Sequence, residues 1–537
     1  MKLNKLFLIG ALALGIGLAS CDNKGQAPSE PSKGQSVGDT YIGLSLRFPT
    51  DASTRAGSDD YNKIPGQWTG RDAIESITVY LVTEGVGVSS EHFEKGDFNG
   101  IDQNGYLTPK LAVEAKSGEK VKAYVVINDV KGKVSGALNI AGWPIGQKVE
   151  ETTKSTSGFE SAFSTAIEIT DVADVAVYDL DKSKDKILMT NKELPTAGNK
   201  GQIEVKPNVS QEQAKQGLNN RIEIEVTRVA SRAIVTIAKD ATKEIKVQRK
   251  NLTDGAIEET ATVTITEVKY AATGGALWFN PIEKAQTPDK VYNFIPKGDT
   301  WNAVKQLSNG IFEYKDGYQN LQVIDGAVNE TNLAAALGAE KFSKFLLPVN
   351  HEENNYKKGN TPFFTIQATF TVKNNLEKYP NADKLEDLKD GTVYFGKVDG
   401  LFYSTKAKAQ LKDATSDKKT VEDADVLQDV VEYKSGKMYY NIWINPDVPY
   451  TDSGKIKKSP VYRNQVYNAH ITGFKEIGLS WTPNNDPDDP DDNEDPEDPN
   501  PFDPDDDLET DKTYLSVQLK VLPYTLHSYT VNLGNRY

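Results

Sequence analysis

Residues 484–511 are almost wholly Asp, Glu, Pro and Asn, a composition that cannot build a core. Directly after them comes the chain's clearest alternating run, over 513–533. Its odd positions read Leu515, Val517, Leu519 and Val521, break at Pro523, Thr525 and His527, and resume as Tyr529, Val531 and Leu533. Ser516, Gln518 and Lys520 fall between them. Period-two alternation marks a strand with one buried face. No globular segment adjoins this strand in sequence, so its apolar face is covered either by the chain's own body or by a neighbour's.

The acidic stretch holds fifteen Asp and Glu and no Lys or Arg, which matches the whole formal net charge of -15. The rest of the chain is therefore formally neutral, and the acidity belongs to a linker. A charged, Pro-rich linker is extended. At ~3.1 Å per residue these residues reach roughly 85 Å, more than a domain's diameter. No basic block points to nucleic acid. The chain's 38% hydrophobic and 26% charged residues fit globular domains, and its length suits two or three of them plus tails.

The start of the chain is an address. Lys2 and Lys5 precede an apolar run over 6–18, too short to span a bilayer, that ends in Leu18-Ala19-Ser20-Cys21. Cys21 is the single cysteine, so no internal disulfide forms. Its position after Leu-Ala-Ser resembles the lipobox of bacterial lipoproteins, which implies cleavage before Cys21 and a lipid on its thiol. The alternative is an ordinary signal peptide with a chance cysteine. Residues 22–40 are a flexible tether. Ile42, Leu44, Leu46 and Phe48 then alternate as a half-buried strand that stops at Pro49. The small polar run over 50–60 is the kind of loop proteases nick, with Arg55 followed by Ala56 at its centre. The plain alternative is that Arg55 is a solvated loop residue.

The body reads as many short strands rich in β-branched and aromatic residues: 72–82, 119–128, 222–229, 233–238, 261–270, 363–372, 392–395, 401–404, 437–444 and 466–474. Helices are expected at 211–218 and, more clearly, over 332–345. This pattern is mainly β and predicts two tandem β-sandwich domains with a few short helices. The expected division is 1–20 signal peptide, 21–55 propeptide, 56–220 and 221–483 as the two domains, 484–512 linker, and 513–537 terminal strand.

Chemistry-bearing motifs are scarce. His92, His351, His470 and His527 are scattered, and none lies four residues from another. The run Asp97-Phe98-Asn99-Gly100-Ile101-Asp102-Gln103-Asn104-Gly105 lacks EF-hand spacing and reads as a turn. Trp68, Trp143, Trp278, Trp301, Trp443 and Trp481 are dispersed and suit packing better than a sugar platform. No nucleophile elbow or phosphate-binding glycine loop is present. No metal, no cofactor and no enzymatic activity are expected. Paired carboxylates meet only in the fold, which leaves a glycan-processing enzyme as a distant third reading.

Four features now stand in order: a lipobox, a detachable strand before an exposed Arg, β-rich domains, and a lone terminal strand. This arrangement resembles the fimbrillins of type V pili. Stretches such as VKAYVVINDVKGK at 121, RVASRAIV at 228, KFLLPVN at 344, YKKGNTPFFTIQATFTVK at 356, SPVYRNQVYNAHI at 459 and KVLPYTLHSYTVNL at 520 look closer still to the Mfa-type minor fimbriae of Bacteroidia. The resemblance implies transthyretin-like sandwiches and a structural subunit of a surface fimbria that supports adhesion and biofilm formation. It implies a precursor anchored to the outer membrane through Cys21. An Arg-specific protease then cuts between Arg55 and Ala56 and removes a placeholder strand carrying Ile42, Leu44, Leu46 and Phe48. The vacated groove takes the C-terminal strand of another subunit, with Leu515, Val517, Leu519, Val521, Tyr529, Val531 and Leu533 as its apolar face. Implied partners are copies of the same chain, accessory fimbrial subunits, the protease, and host or bacterial surface receptors. The competing reading is a lipid-anchored adhesin or tip protein that keeps residues 21–55 and binds a glycan or host protein.

Overall fold

A computed structural model describes residues 39–48, 72–98, 106–107, 111–169, 172–179, 184–198, 201–251, 254–272, 278–282, 322–326, 340–357, 361–384, 391–444, 456–480, 507–508 and 515–523. The first group of strands is β1 (Thr40–Arg47), β2 (Ser76–Thr83), β3 (Gly87–Glu94), β4 (Tyr106–Leu107), β5 (Ala112–Ala115), β6 (Lys120–Ile127), β7 (Met189–Asn191) and β8 (Arg221–Arg228). They form one sheet in the order β4, β1, β8, β7, β6, β2, β3, with β5 also on β1. The second group is β9 (Ser231–Thr242), β10 (Glu244–Lys250), β11 (Ile257–Ala272), β12 (Phe363–Asn374), β13 (Lys437–Trp443), β14 (Gln465–Phe474) and β15 (Leu515–Pro523). One sheet runs β9, β14, β15 and another runs β10, β11, β12, β13. The chain is mainly β, and the alternating runs of the sequence correspond closely to these strands.

Alternation explains why the first sheet sits at the centre of its part of the molecule. Ile77, Val79 and Leu81 of β2 share one core with Val121, Ala123, Val125 and Ile127 of β6 and with Ile222, Ile224 and Val226 of β8. The in-between residues Tyr80, Val82, Tyr124 and Val126 join a second cluster on the opposite face. Helices α1 (Lys133–Ile140) and α2 (Ser157–Phe163) cover that face with Leu138, Phe159 and Phe163. Trp143 is packed there too, edge-on to Phe159 at 5.5 Å. In the second group, Ala233, Val235 and Ile237 of β9 and Tyr467, Ala469 and Ile471 of β14 share a core with Val263, Phe364, Ile366 and Tyr440 of the other sheet.

Helix α3 (Gln211–Lys215) forms where the sequence places a short helix, and a reciprocal capping box between Ser210 and Gln213 starts it. Of the helix expected over 332–345, residues 332–339 lie outside the described residues. The rest is not α-helical: Glu340–Phe342 is a 3-10 turn and Ser343–Leu346 is a strand. Its pairing with β9, from Ser231 opposite Leu346 to Ile234 opposite Ser343, overrides the local helical spacing. Strand β8, which begins at Arg221, lies inside the first sheet between β1 and β7. The chain enters the second group only after Arg228. Phe279, Leu347 and Val349 also pack with Tyr124 and Phe159, so the second core draws on both parts of the chain.

Candidate strand-exchange site

Strand β1 lies inside the first sheet. It runs parallel to β8, with Gly43 opposite Arg221 and Arg47 opposite Glu225, and antiparallel to β5 and β4 on its other edge. Ile42, Leu44, Leu46 and Phe48 are each fully buried. At ~1.5–3 kcal/mol apiece they contribute a gross ~6–12 kcal/mol, an upper estimate because the unfolded chain is itself partly compact. Arg221 Nη2 donates to Ser45 Oγ at 2.8 Å, and the Arg47 guanidinium lies 5.8 Å from the centre of the Tyr106 ring.

The first half of β1 is gripped from outside the sheet by residues 206–220. Thr40 Oγ1 donates to Lys206 O at 2.8 Å and accepts from Val209 N at 3.0 Å. Asn220, at φ 49°, turns its amide inward to donate to Tyr41 O and Lys206 O. Tyr41 N donates to Val209 O, and Gly43 N to Asn220 O. The backbone of α3 then crosses directly above Gly43. A Cβ at position 43 would overlap the Ala214 carbonyl oxygen and lie 2.8 Å from its carbon. Ahead of the strand, Asp39 accepts from Ser117 N at 2.8 Å and from Ser117 Oγ at 2.6 Å, and these bonds hold its carboxyl below its usual 3.8.

The terminal strand β15 is antiparallel to β14 at the edge of the chain's own sheet. The register sets Val517, Leu519 and Val521 opposite Ile471, Ala469 and Tyr467, all three core residues. It ends at Pro523, which has no N–H for a ladder. Tyr529, Val531 and Leu533 lie outside the described residues. The acidic linker touches the body at its far end. Leu508 is fully buried, Ile456 N donates to Leu508 O, and Asp507 pairs with Lys357. An apolar residue in that stretch finds a core even where its neighbours cannot.

Cys21, Arg55 and Ala56 lie outside the described residues, as do 99–105 and Trp68, Trp301 and Trp481. The structure resumes at Asp72, after the segment that carries Arg55. Asp72 is buried against Arg228. Arg232 pairs with buried Asp185 at 2.5 Å, and Arg463 donates to Arg228 O, Thr227 O, Thr190 Oγ1 and Pro281 O. Sequence reasoning missed this cluster. Its one signal was an arginine within an apolar extended run, at Arg228 and again at Arg232. Among the described residues no group of His, Cys, Asp and Glu is placed to hold a metal, and no helix is long and apolar enough to cross a membrane.

The chain is similar to known fimbrial proteins. Residues 431–530 match the family model for the major fimbrial subunit protein type IV, fimbrillin, C-terminal. The chain is 30% identical over 548 aligned residues to the minor fimbrium subunit Mfa1 of Porphyromonas gingivalis, covering 99% of this chain and 100% of that protein. Among solved structures it is similar to a fimbrilin (FimA) of P. gingivalis W83, at 14% identity and TM-score 0.37 over 92% of this chain and 99% of that one. A putative cell adhesion protein of Bacteroides eggerthii aligns at 12% identity and TM-score 0.35, over 93% and 99%.

Proposed function

Because the chain belongs to the fimbrillin family, as a fimbrial subunit of the Mfa type, we propose that it is made as a lipoprotein, cut after Arg55 and polymerised by strand exchange. The observation that carries this reading is β1. It is a mid-sheet strand with Ile42, Leu44 and Leu46 fully buried, linked covalently to the residues that follow through the segment that contains Arg55. Cutting that segment leaves β1 held by non-covalent contacts alone. Its departure exposes an apolar groove between β8 and β5, flanked by unpaired backbone groups. Such an edge is a template for an added strand. β15 is the natural occupant: it is alternating, lies at a sheet edge and follows an acidic linker. In the monomer it rests on β14, and in the filament it leaves for a neighbour's groove. The lipid on Cys21 holds the precursor at the outer membrane until processing, and the mature chain is built into a surface fimbria.

One observation favours a second reading, a lipid-anchored adhesin or accessory subunit. β15 already has a partner strand in its own chain, as in a subunit that does not donate. The N-terminal residue of the protein in shed filaments separates the two. Ala56 supports the polymerising subunit, whereas a lipid-blocked Cys21 overturns it.

A further inference from the structure

The groove vacated by β1 and the terminal strand correspond residue by residue. Residues 40–48 read Thr-Tyr-Ile-Gly-Leu-Ser-Leu-Arg-Phe, and residues 513–521 read Thr-Tyr-Leu-Ser-Val-Gln-Leu-Lys-Val. Thr, Tyr and one Leu are identical, Ile and Leu are answered by Leu and Val, and Arg by Lys. The apolar positions keep the same parity, so every in-facing side chain of β1 has an apolar counterpart. We propose that the tail of a second copy enters the groove in this one register and in the direction of β1, Thr513 at the place of Thr40 and Lys520 at that of Arg47, and that helix α3 is the element that discriminates between the two strands. The inference rests on the strand-exchange reading and adds to it the register, the direction and a specificity residue.

The chemistry of the groove suits this frame. Thr513 brings the hydroxyl that Lys206 O and Val209 N bind in β1. Gln518 offers Arg221 an acceptor where Ser45 did. Lys520 arrives between Tyr106 and Glu225, the two residues opposite Arg47. A strand entering in the reverse direction keeps the apolar parity but loses all three matches.

The misfit in this frame is Ser516 at the place of Gly43. Only a residue without a Cβ passes beneath the Ala214 carbonyl, so a serine there forces α3 outward. Displacing packed backbone costs binding free energy. The resident strand therefore outcompetes tails while it is covalently attached, and the tail wins only once proteolysis has let the resident go. Gly43 and Ser516 together keep unprocessed subunits from joining a filament.

The test uses full-length chains in a Cys21→Ser background, treated with an arginine-specific protease and mixed. One copy carries Lys520→Cys and the other Glu225→Cys or Glu223→Cys. The expected result is an inter-subunit disulfide with Glu225→Cys and little with Glu223→Cys. The reverse preference overturns the register. Filaments that form without either disulfide overturn the direction, and absence of any filament from wild-type chains overturns strand exchange itself. In parallel, Ser516→Gly is expected to slow filament dissociation about fivefold or more, and Ser516→Ala, which keeps the Cβ, to leave it unchanged. Equal effects of the two, or none from Ser516→Gly, overturn the role of α3.

Discussion

The Arg228 guanidinium grips both carboxylate oxygens of Asp72, and neither side chain is more than 4% exposed. Asp72 is the first described residue after the segment that carries Arg55, and Arg228 ends the strand that pairs with β1. Ala73 N also donates to Asp185 O, at 2.8 Å. The pair thus ties the chain leading into β2 to the end of β8, and in the proposed processed subunit this anchor would remain.

Asp72→Ala removes the carboxylate from a buried guanidinium, which keeps its hydrogen bond to Asn464 Oδ1. Removing one partner of a buried pair costs about 3–5 kcal/mol. Urea unfolding of the processed subunit is the measurement. A loss below about 1 kcal/mol would show that water or another group takes over the carboxylate's place.

Asp39 clasps Ser117 at the entrance to β1, and its carboxyl titrates below the usual 3.8 because of those hydrogen bonds. A carboxyl lowered in the folded state stabilises it above the unfolded value, and the contribution disappears as pH falls through the folded value. Asp39→Asn should therefore melt below wild type at pH 7. The gap should close once the pH is well under 3.8. A gap of constant size across that range contradicts the assignment.

In the proposed maturation, the cut after Arg55 is the step that would make β1 removable. Arg55→Ala is expected to leave a longer, membrane-associated subunit that does not polymerise, and Cys21→Ala to abolish acyl labelling and surface delivery. Normal filaments of subunits starting at Ala56 in the Arg55→Ala strain would end the Arg-specific maturation proposal.

Leu519 and Val521 lie opposite the core residues Ala469 and Tyr467 in the monomer register, and Gln518 lies opposite His470. Leu519→Asp with Val521→Asp puts charge on the apolar face and should abolish assembly, since an unpaired buried charge is far costlier than a lost contact. Gln518→Asp, on the opposite face, should matter much less, because a one-residue slip exchanges the faces. Purified processed subunits provide the assay, with monomer melting as the control. A large fall in monomer melting for the odd-face variant would assign the tail to its own subunit's core.

Local pattern was enough to place most elements. The alternation of Ile42, Leu44, Leu46 and Phe48 predicted a buried face, and all four are fully buried. The short helix expected over 211–218 forms as α3, Gln211–Lys215. Such signals are legible because side-chain period and capping depend on neighbours within a turn or a strand. Tertiary structure decided what local spacing does not encode. Residues 343–346 became a strand because β9 offered an edge, Leu508 left its acidic surroundings for a core, and Arg228 found Asp72 across 156 positions of sequence. That Gly43 had to be glycine was equally invisible in its own strand, because the reason is the Ala214 carbonyl, which reaches it only when α3 folds across β1. A strand's pattern states which face is buried, but the partner that buries it is chosen by contacts distant in sequence.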